Sequence, residues 1–180
     1  MTRTRQALVL LAVLPGSTFA QTLDGASVEE GRGSQSSITK LTLQEDGGSD
    51  ISYLREHALG TYLEGDIAEL LSRICHDVQG ESQIVDTIGI TPVLRWNNVV
   101  SQSVFGEIGI GANYMSEQFS ANNRIMGSRF QFGDHVAVGL VFNNGVELSL
   151  KFQHYSNAGI WEPKPAINFG IVKLTSLFKP

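Results

Sequence analysis

The sequence predicts an all-β protein, an eight-stranded antiparallel transmembrane β-barrel. Three observations carry that expectation. Apolar and polar residues alternate at period two in runs of near ten residues, longer than the roughly five or six of soluble sheets. Turn residues separate the runs, with short and long connections alternating. The chain opens with an export signal, yet nothing after it reaches the roughly 18 unbroken apolar residues of a membrane helix.

The signal occupies residues 1–20. Arg3 and Arg5 supply the positive start, Ala7 to Pro15 the short apolar stretch, and Thr18-Phe19-Ala20 the cleavage site. Its removal leaves residues 21–180, 160 of the 180, as one barrel domain. It takes away two arginines and no acid, so the net charge of -5 becomes -7, which argues against nucleic acid as a partner. Cys75 is the single cysteine, which excludes an internal disulfide, and beside Ile74 it reads as a packing residue. The four histidines are scattered and show no metal spacing.

The first two strands, Ala26 to Gly33 and Ile38 to Glu45, have weak signals. The third covers Thr61 to Arg73. The fourth covers Ile84 to Trp96, with Ile84, Ile88, Ile90, Pro92 and Leu94 on one face. The fifth, Val104 to Tyr114, sets Ile108, Ile110 and Ala112 against Glu107, Gly109, Gly111 and Asn113. The sixth, Arg129 to Phe142, aligns Val136, Val138, Leu140 and Phe142. The seventh has the clearest pattern. Val146, Leu148, Leu150 and Phe152 share one face, and Glu147, Ser149, Lys151 and Gln153 the other. The eighth, Ile167 to Phe178, turns Val172, Leu174 and Phe178 outward and Lys173 and Thr175 inward. An apolar outside and a polar inside suit lipid around a small wet lumen. A soluble lipid-binding barrel or a sandwich is the alternative, and its apolar faces would point inward.

Asn143-Asn144-Gly145 marks a tight hairpin and Asn97-Asn98 a short connection. Gln79-Gly80, Ala121-Asn122-Asn123 and Trp161-Glu162-Pro163 mark longer ones. The Gly47-Gly48 region looks long where a short turn belongs.

Chemistry concentrates in His154-Tyr155-Ser156-Asn157-Ala158-Gly159. His154 and Ser156 are two apart, so both point the way of Val146 to Phe152, onto the lipid face. A histidine beside a serine there is the start of a nucleophile and general-base pair. The competing reading places both in the headgroup zone, where polar residues are tolerated. At roughly 2.5 to 3 Å of height per tilted residue, His154 stands about 20 to 25 Å above Val146, near the top of the hydrocarbon band.

A histidine base needs an acceptor on its other nitrogen, and three candidates exist. A hairpin pairing Phe142 with Val146 carries Asp134 opposite His154. Asn168 arrives beside His154 on the eighth strand, facing outward by its parity with Val172. Glu162 lies in the loop and could fold back. Each also has a plain structural role open to it: Asp134 as a strand end, Asn168 as a strand start, Glu162 as a solvated loop residue.

These residues resemble the outer-membrane lipid A 3-O-deacylase (PagL-like) family. The matching pieces are Phe130 to His135, Gly139 and Phe142, His154 to Ile160, then Pro163, Pro165, Ile167 and Asn168. Pro92 to Arg95 and Gly106 to Ala112 resemble its earlier strands. The resemblance runs from about Thr61 to Phe178 and is strongest after Arg129. It implies an outer-membrane barrel enzyme without cofactor, acting on lipid A in lipopolysaccharide. The reaction would hydrolyse the ester-linked 3-hydroxyacyl chain at the 3-position of lipid A, with Ser156 as nucleophile and His154 as base. The Asn157 amide and a backbone N–H near Gly159 would form the oxyanion hole, worth roughly 3 to 4 kcal/mol per donor. A homodimer is compatible with the resemblance.

The chain departs from the family at two positions. The family carries glutamate where this chain has Asn168, and an amide cannot stabilise imidazolium by charge. Either Asp134 or Glu162 supplies the charge, or the enzyme is slow, or the chain is a non-catalytic structural or adhesion barrel with a degenerate triad. The family also has asparagine near position 164, where Lys164 would either meet a lipid A phosphate or serve as an ordinary loop lysine.

Overall fold

The computed structural model describes residues 23–47, 58–74, 81–99, 103–121 and 124–178. The signal sequence, Gln79-Gly80, Asn122-Asn123, Gly48, Cys75, His57 and His76 lie outside the described residues. Among the described residues ten strands form: β1 Gly25–Gly33, β2 Ser36–Asp46, β3 Leu59–Ile74, β4 Glu81–Asn97, β5 Val104–Met115, β6 Ser120–Ala121, β7 Arg124–Ile125, β8 Phe130–Val141, β9 Val146–Ser156 and β10 Ile167–Leu177. Eight close into an antiparallel barrel in which β1 pairs with β2 on one side and β10 on the other. β6 and β7 make a small hairpin within the β5–β8 connection.

The alternation fixes the register. Because side chains change face at every residue, a one-residue slip would turn every apolar side chain inward. The turn at residues 143–145 pins the β8–β9 pair: Phe142 N–H donates to Val146 at 2.8 Å, and Gly145 takes a φ of 76°. From there the register runs Val141 opposite Glu147 up to Phe132 opposite Ser156. β3 and β4 extend further than the sequence indicated, pairing from Leu59 opposite Trp96 to Ile74 opposite Glu81. The β1–β2 hairpin turns in two residues, with Gln35 in the left-handed region at φ 55°. The expected alternation of short and long connections therefore fails at this hairpin, which is tight although it lies at the end that bears the long loops.

Val28, Ile67, Ile88, Ile110, Val138, Leu150, Phe152, Val172 and Leu174 are exposed on the outer face. Aromatic side chains mark both ends of this belt. Trp96, Phe142 and Phe178 stand at the turn end, and Tyr114 and Trp161 at the loop end. Apolar exposure on this scale fits hydrocarbon rather than water. It reverses the arrangement of a soluble lipid-binding barrel, so that alternative is set aside.

Charges fill the middle of the lumen. Lys151 pairs with Glu29 at 3.0 Å and Glu64 at 3.5 Å, Lys40 with Asp66 at 3.5 Å, and Lys173 with Glu64. Arg95 reaches Glu147 at 2.6 Å and Glu107 at 3.6 Å, and Tyr62 donates to Glu107 at 2.7 Å. His135 also faces the lumen, against Gly109, where a Cβ would fall 2.4 Å from the imidazole. Toward the loop end the interior becomes apolar, with Ile38, Leu70, Val85, Met115, Phe119, Tyr155, Phe169 and Ile171 in one buried cluster.

Candidate active site

The candidate site stands on the outer wall around that apolar cluster. Tyr155 lies between His154 and Ser156 in sequence, and Phe169 follows Asn168. Both aromatic rings are fully buried and meet edge to face at 6.1 Å between centroids. By the parity of a strand, anchoring Tyr155 and Phe169 inward holds His154, Ser156 and Asn168 outward.

Three polar residues form one row across adjacent strands. Asp134 on β8 is opposite His154 on β9, and His154 is opposite Asn168 on β10. The His154 ring nitrogen Nδ1 lies 2.6 Å from Asn168 Oδ1. With Asn168 Oδ1 as the acceptor in the neutral ring, Nδ1 carries the proton and Nε2 keeps a free lone pair. This is the tautomer a general base needs. Ser156 is the next outward residue on β9, opposite Phe132. Among the described residues no hydrogen bond joins Ser156 to His154, a contact that commonly tightens only when substrate binds. The Oδ1 atom of Asp134 is buried and has no hydrogen-bond partner among the described residues.

The connection after β9 carries the two residues expected in the oxyanion hole, Asn157 and Gly159. Asn157 falls at an inward position and is 1 % exposed. Its Nδ2 donates to the Trp161 carbonyl at 2.8 Å, and its Oδ1 accepts the Gly159 N–H at 3.0 Å. Both groups are thereby engaged in holding the loop rather than facing the histidine–serine surface. Ile160 N–H donates to Asn157 O at 3.0 Å, with Ala158 and Gly159 both at positive φ, a type I′ turn. Gly127 makes the loop packing close. A Cβ there would lie 2.2 Å from the Pro163 carbonyl oxygen and 2.9 Å from Asn157 Nδ2. Sequence reading missed this contact, because nothing local to Gly127 reports which distant loop rests on it.

Glu162 and Lys164 pair with each other at 2.8 Å and are largely exposed. Glu162 therefore does not fold back onto His154, and Lys164 is an exposed loop cation. Of the three acceptors considered for the imidazole, the structure brings Asn168 into contact and Asp134 into the same row. Among the described residues no three histidine, cysteine, aspartate or glutamate side chains gather to hold a metal ion.

A hollow of about 540 Å³ runs along the wall below the row, lined by Val136, Val138, Leu150, Phe152, Gly170 and Val172 among others. Gly170 is the outward residue next below Asn168, and a Cβ there would meet nothing within 4 Å. The hollow is shallow and mostly apolar.

Comparison with known proteins decides the family. A family model described as lipid A 3-O-deacylase (PagL) matches residues 40–175, a span that contains every residue of the row. The chain belongs to this family. Lipid A deacylase PagL of Bordetella bronchiseptica (strain ATCC BAA-588 / NCTC 13252 / RB50) is 40% identical over 88 residues, which cover 49% of this chain and 47% of that protein. The match thus spans about half the length of that PagL relative. A solved structure described as the outer membrane enzyme PagL superposes with a TM-score of 0.68 at 23% identity, covering 84% of this chain and 98% of that one. Neisserial surface protein A superposes with a TM-score of 0.51 at 8% identity, covering 87% and 95%. These two likenesses concern the eight-stranded fold alone, and only the family match reaches the chemistry of PagL proteins.

Proposed function

We propose that the chain, exported through the signal at residues 1–20, is an outer-membrane lipid A 3-O-deacylase that works on the outer wall of its barrel. One observation supports this reading above the rest. A serine and a histidine bonded through Nδ1 to Asn168 stand on the outer, apolar face, at the end of the barrel that bears the long loops. A substrate lying in the outer leaflet would reach them without leaving the membrane, its acyl chain along the hollow over Gly170.

The chemistry follows the serine hydrolase pattern. Ser156 Oγ attacks the carbonyl carbon of the ester at the 3-position, and its proton passes to His154 Nε2. The carbon–oxygen bond to the sugar breaks, and the sugar oxygen takes that proton. Water then attacks the acyl-serine ester and gives a proton to His154, which returns it to Ser156 Oγ. A 3-hydroxy fatty acid leaves. Asn168 holds the ring in the required tautomer throughout.

Mass spectrometry of lipid A from cells expressing the chain tests the proposal. Loss of one 3-hydroxyacyl chain is expected with the parent and not with Ser156→Ala. Unchanged lipid A from a folded, inserted parent barrel would instead support the non-catalytic scaffold.

The hollow makes a separate prediction. Gly170→Leu has room to fold, since nothing crowds the position. It would fill the space beside Phe152 and Val172. A methylene's worth of fit alters rates by roughly 10- to 200-fold, so long acyl chains should be released at least about tenfold more slowly than by the parent. Short-chain esters should be little affected. Equal slowing of both would show that the chain does not lie there.

A further inference from the structure

We propose that Asp134 is the positioning residue that supplies negative charge to the His154 imidazolium in this chain, the task that Asn168 cannot perform. The inference rests on the proposed catalytic reading and concerns how the site works without a carboxylate at position 168.

Asp134 has four nearest neighbours on the outer wall. Across β5 it faces Ile110, which is 67% exposed on the apolar belt. Along its own strand the adjacent outward residues are Phe132 and Val136. Its remaining cross-strand neighbour is His154. The carboxylate therefore has apolar groups on three sides and an imidazole on the fourth. A carboxylate in such surroundings is costly unless a cation or a hydrogen bond compensates it. Its Oδ1 is buried and has no hydrogen-bond partner among the described residues. The site thus holds an unmet demand for positive charge at the position beside the ring.

Catalysis supplies that charge transiently. When Ser156 gives up its proton, the ring becomes imidazolium between Asn168 and Asp134. Directly opposed residues on paired strands have Cβ atoms roughly 4.5 to 5.5 Å apart. At that distance in a water-poor wall the attraction between unit charges is several times its value in water. Asn168 fixes the tautomer through Nδ1 on one side, and Asp134 favours the charged state from the other. The two tasks of a triad acid are divided between two residues on opposite flanking strands. No hydrogen bond to Asp134 is required, because the interaction is between charges.

The test is a set of five purified barrels assayed on lipid A in detergent: the parent, Asp134→Asn, Asn168→Glu, the double variant of these two, and Ser156→Ala. Heat-modifiable gel migration reports closure of each barrel. Asp134→Asn keeps the side-chain shape and removes an isolated charge from an apolar wall, so it is expected to fold. It should lower kcat by roughly 10²- to 10³-fold, below the about 10⁴-fold cost of amidating a directly bonded triad acid, with KM unchanged. Asn168→Glu should restore most of that loss in the double variant, since charge then arrives from the other side. A purely structural role for Asp134 would show no such rescue. Full activity in Asp134→Asn, or a folded double variant as slow as the single one, would overturn the assignment. An inactive parent made active by Asn168→Glu would also overturn it while preserving the catalytic reading. Activity that survives Ser156→Ala, or that neither the parent nor Asn168→Glu displays, would overturn both.

Discussion

Ser156→Ala is expected to reduce deacylation by about 10⁴- to 10⁶-fold, and adding His154→Ala should then reduce it little further. The expectation follows from the shared proton. The nucleophile and the base act on one event, so removing either removes the same step, and the losses do not add. The geometry sharpens the case. Among the described residues His154 makes one side-chain hydrogen bond, to Asn168, and Ser156 stands opposite the apolar Phe132. The measurement is the rate of 3-hydroxy fatty acid release by the two single variants and the double variant. Losses that multiply, each singly modest, would mean that the two side chains bind lipid A headgroups independently. A single dominant loss shared by both variants is the signature of a coupled pair.

Much of this arrangement was legible before any coordinates. Period-two alternation assigned faces on β4, β5, β8, β9 and β10, and the Asn143-Asn144-Gly145 turn set the β8–β9 register. Together they placed Asp134 opposite His154, as the strand pairing has it. Strand geometry is rigid enough to carry such information over a dozen residues. What could not be read lies where that periodicity stops. Glu162 sits in a loop whose path depends on contacts with Gly127 and Asn157, so its pairing with Lys164 had no local signal. Asn157 is the opposite case. Its place next to Ser156 in the motif invited a role in the chemistry, although the parity of the strand already turned it inward. The same parity that exposes Ser156 buries its neighbour, and burial commits the Asn157 amide to the loop backbone. The small β6–β7 hairpin was missed because two-residue strands have no period to detect.

The second large effect is expected far from the site, in the lumen. Glu64 is 1% exposed and is the carboxylate that Lys173 contacts, and it also lies 3.5 Å from Lys151. Glu64→Ala leaves Lys173 buried without its carboxylate, whereas Lys151 retains Glu29 at 3.0 Å. Removing one partner of a buried pair costs roughly 3 to 5 kcal/mol, because the other charge stays desolvated and uncompensated. The urea midpoint of unfolding, read by heat-modifiable migration of the folded barrel, should fall accordingly. Replacing both members, in Glu64→Leu with Lys173→Met, should recover most of the loss, since hydrophobic groups of similar volume replace a buried pair at little net cost. If Glu64→Ala left the midpoint unchanged, water would have to reach Lys173, and the lumen would be wetter than its packing indicates. The outcome bears on catalysis as well. Glu64 and Lys173 sit in the polar layer beneath the cluster that anchors Tyr155 and Phe169. A lumen that loosens there would release the two inward anchors of the outward row, so activity should fall at denaturant concentrations below the unfolding midpoint of the variant.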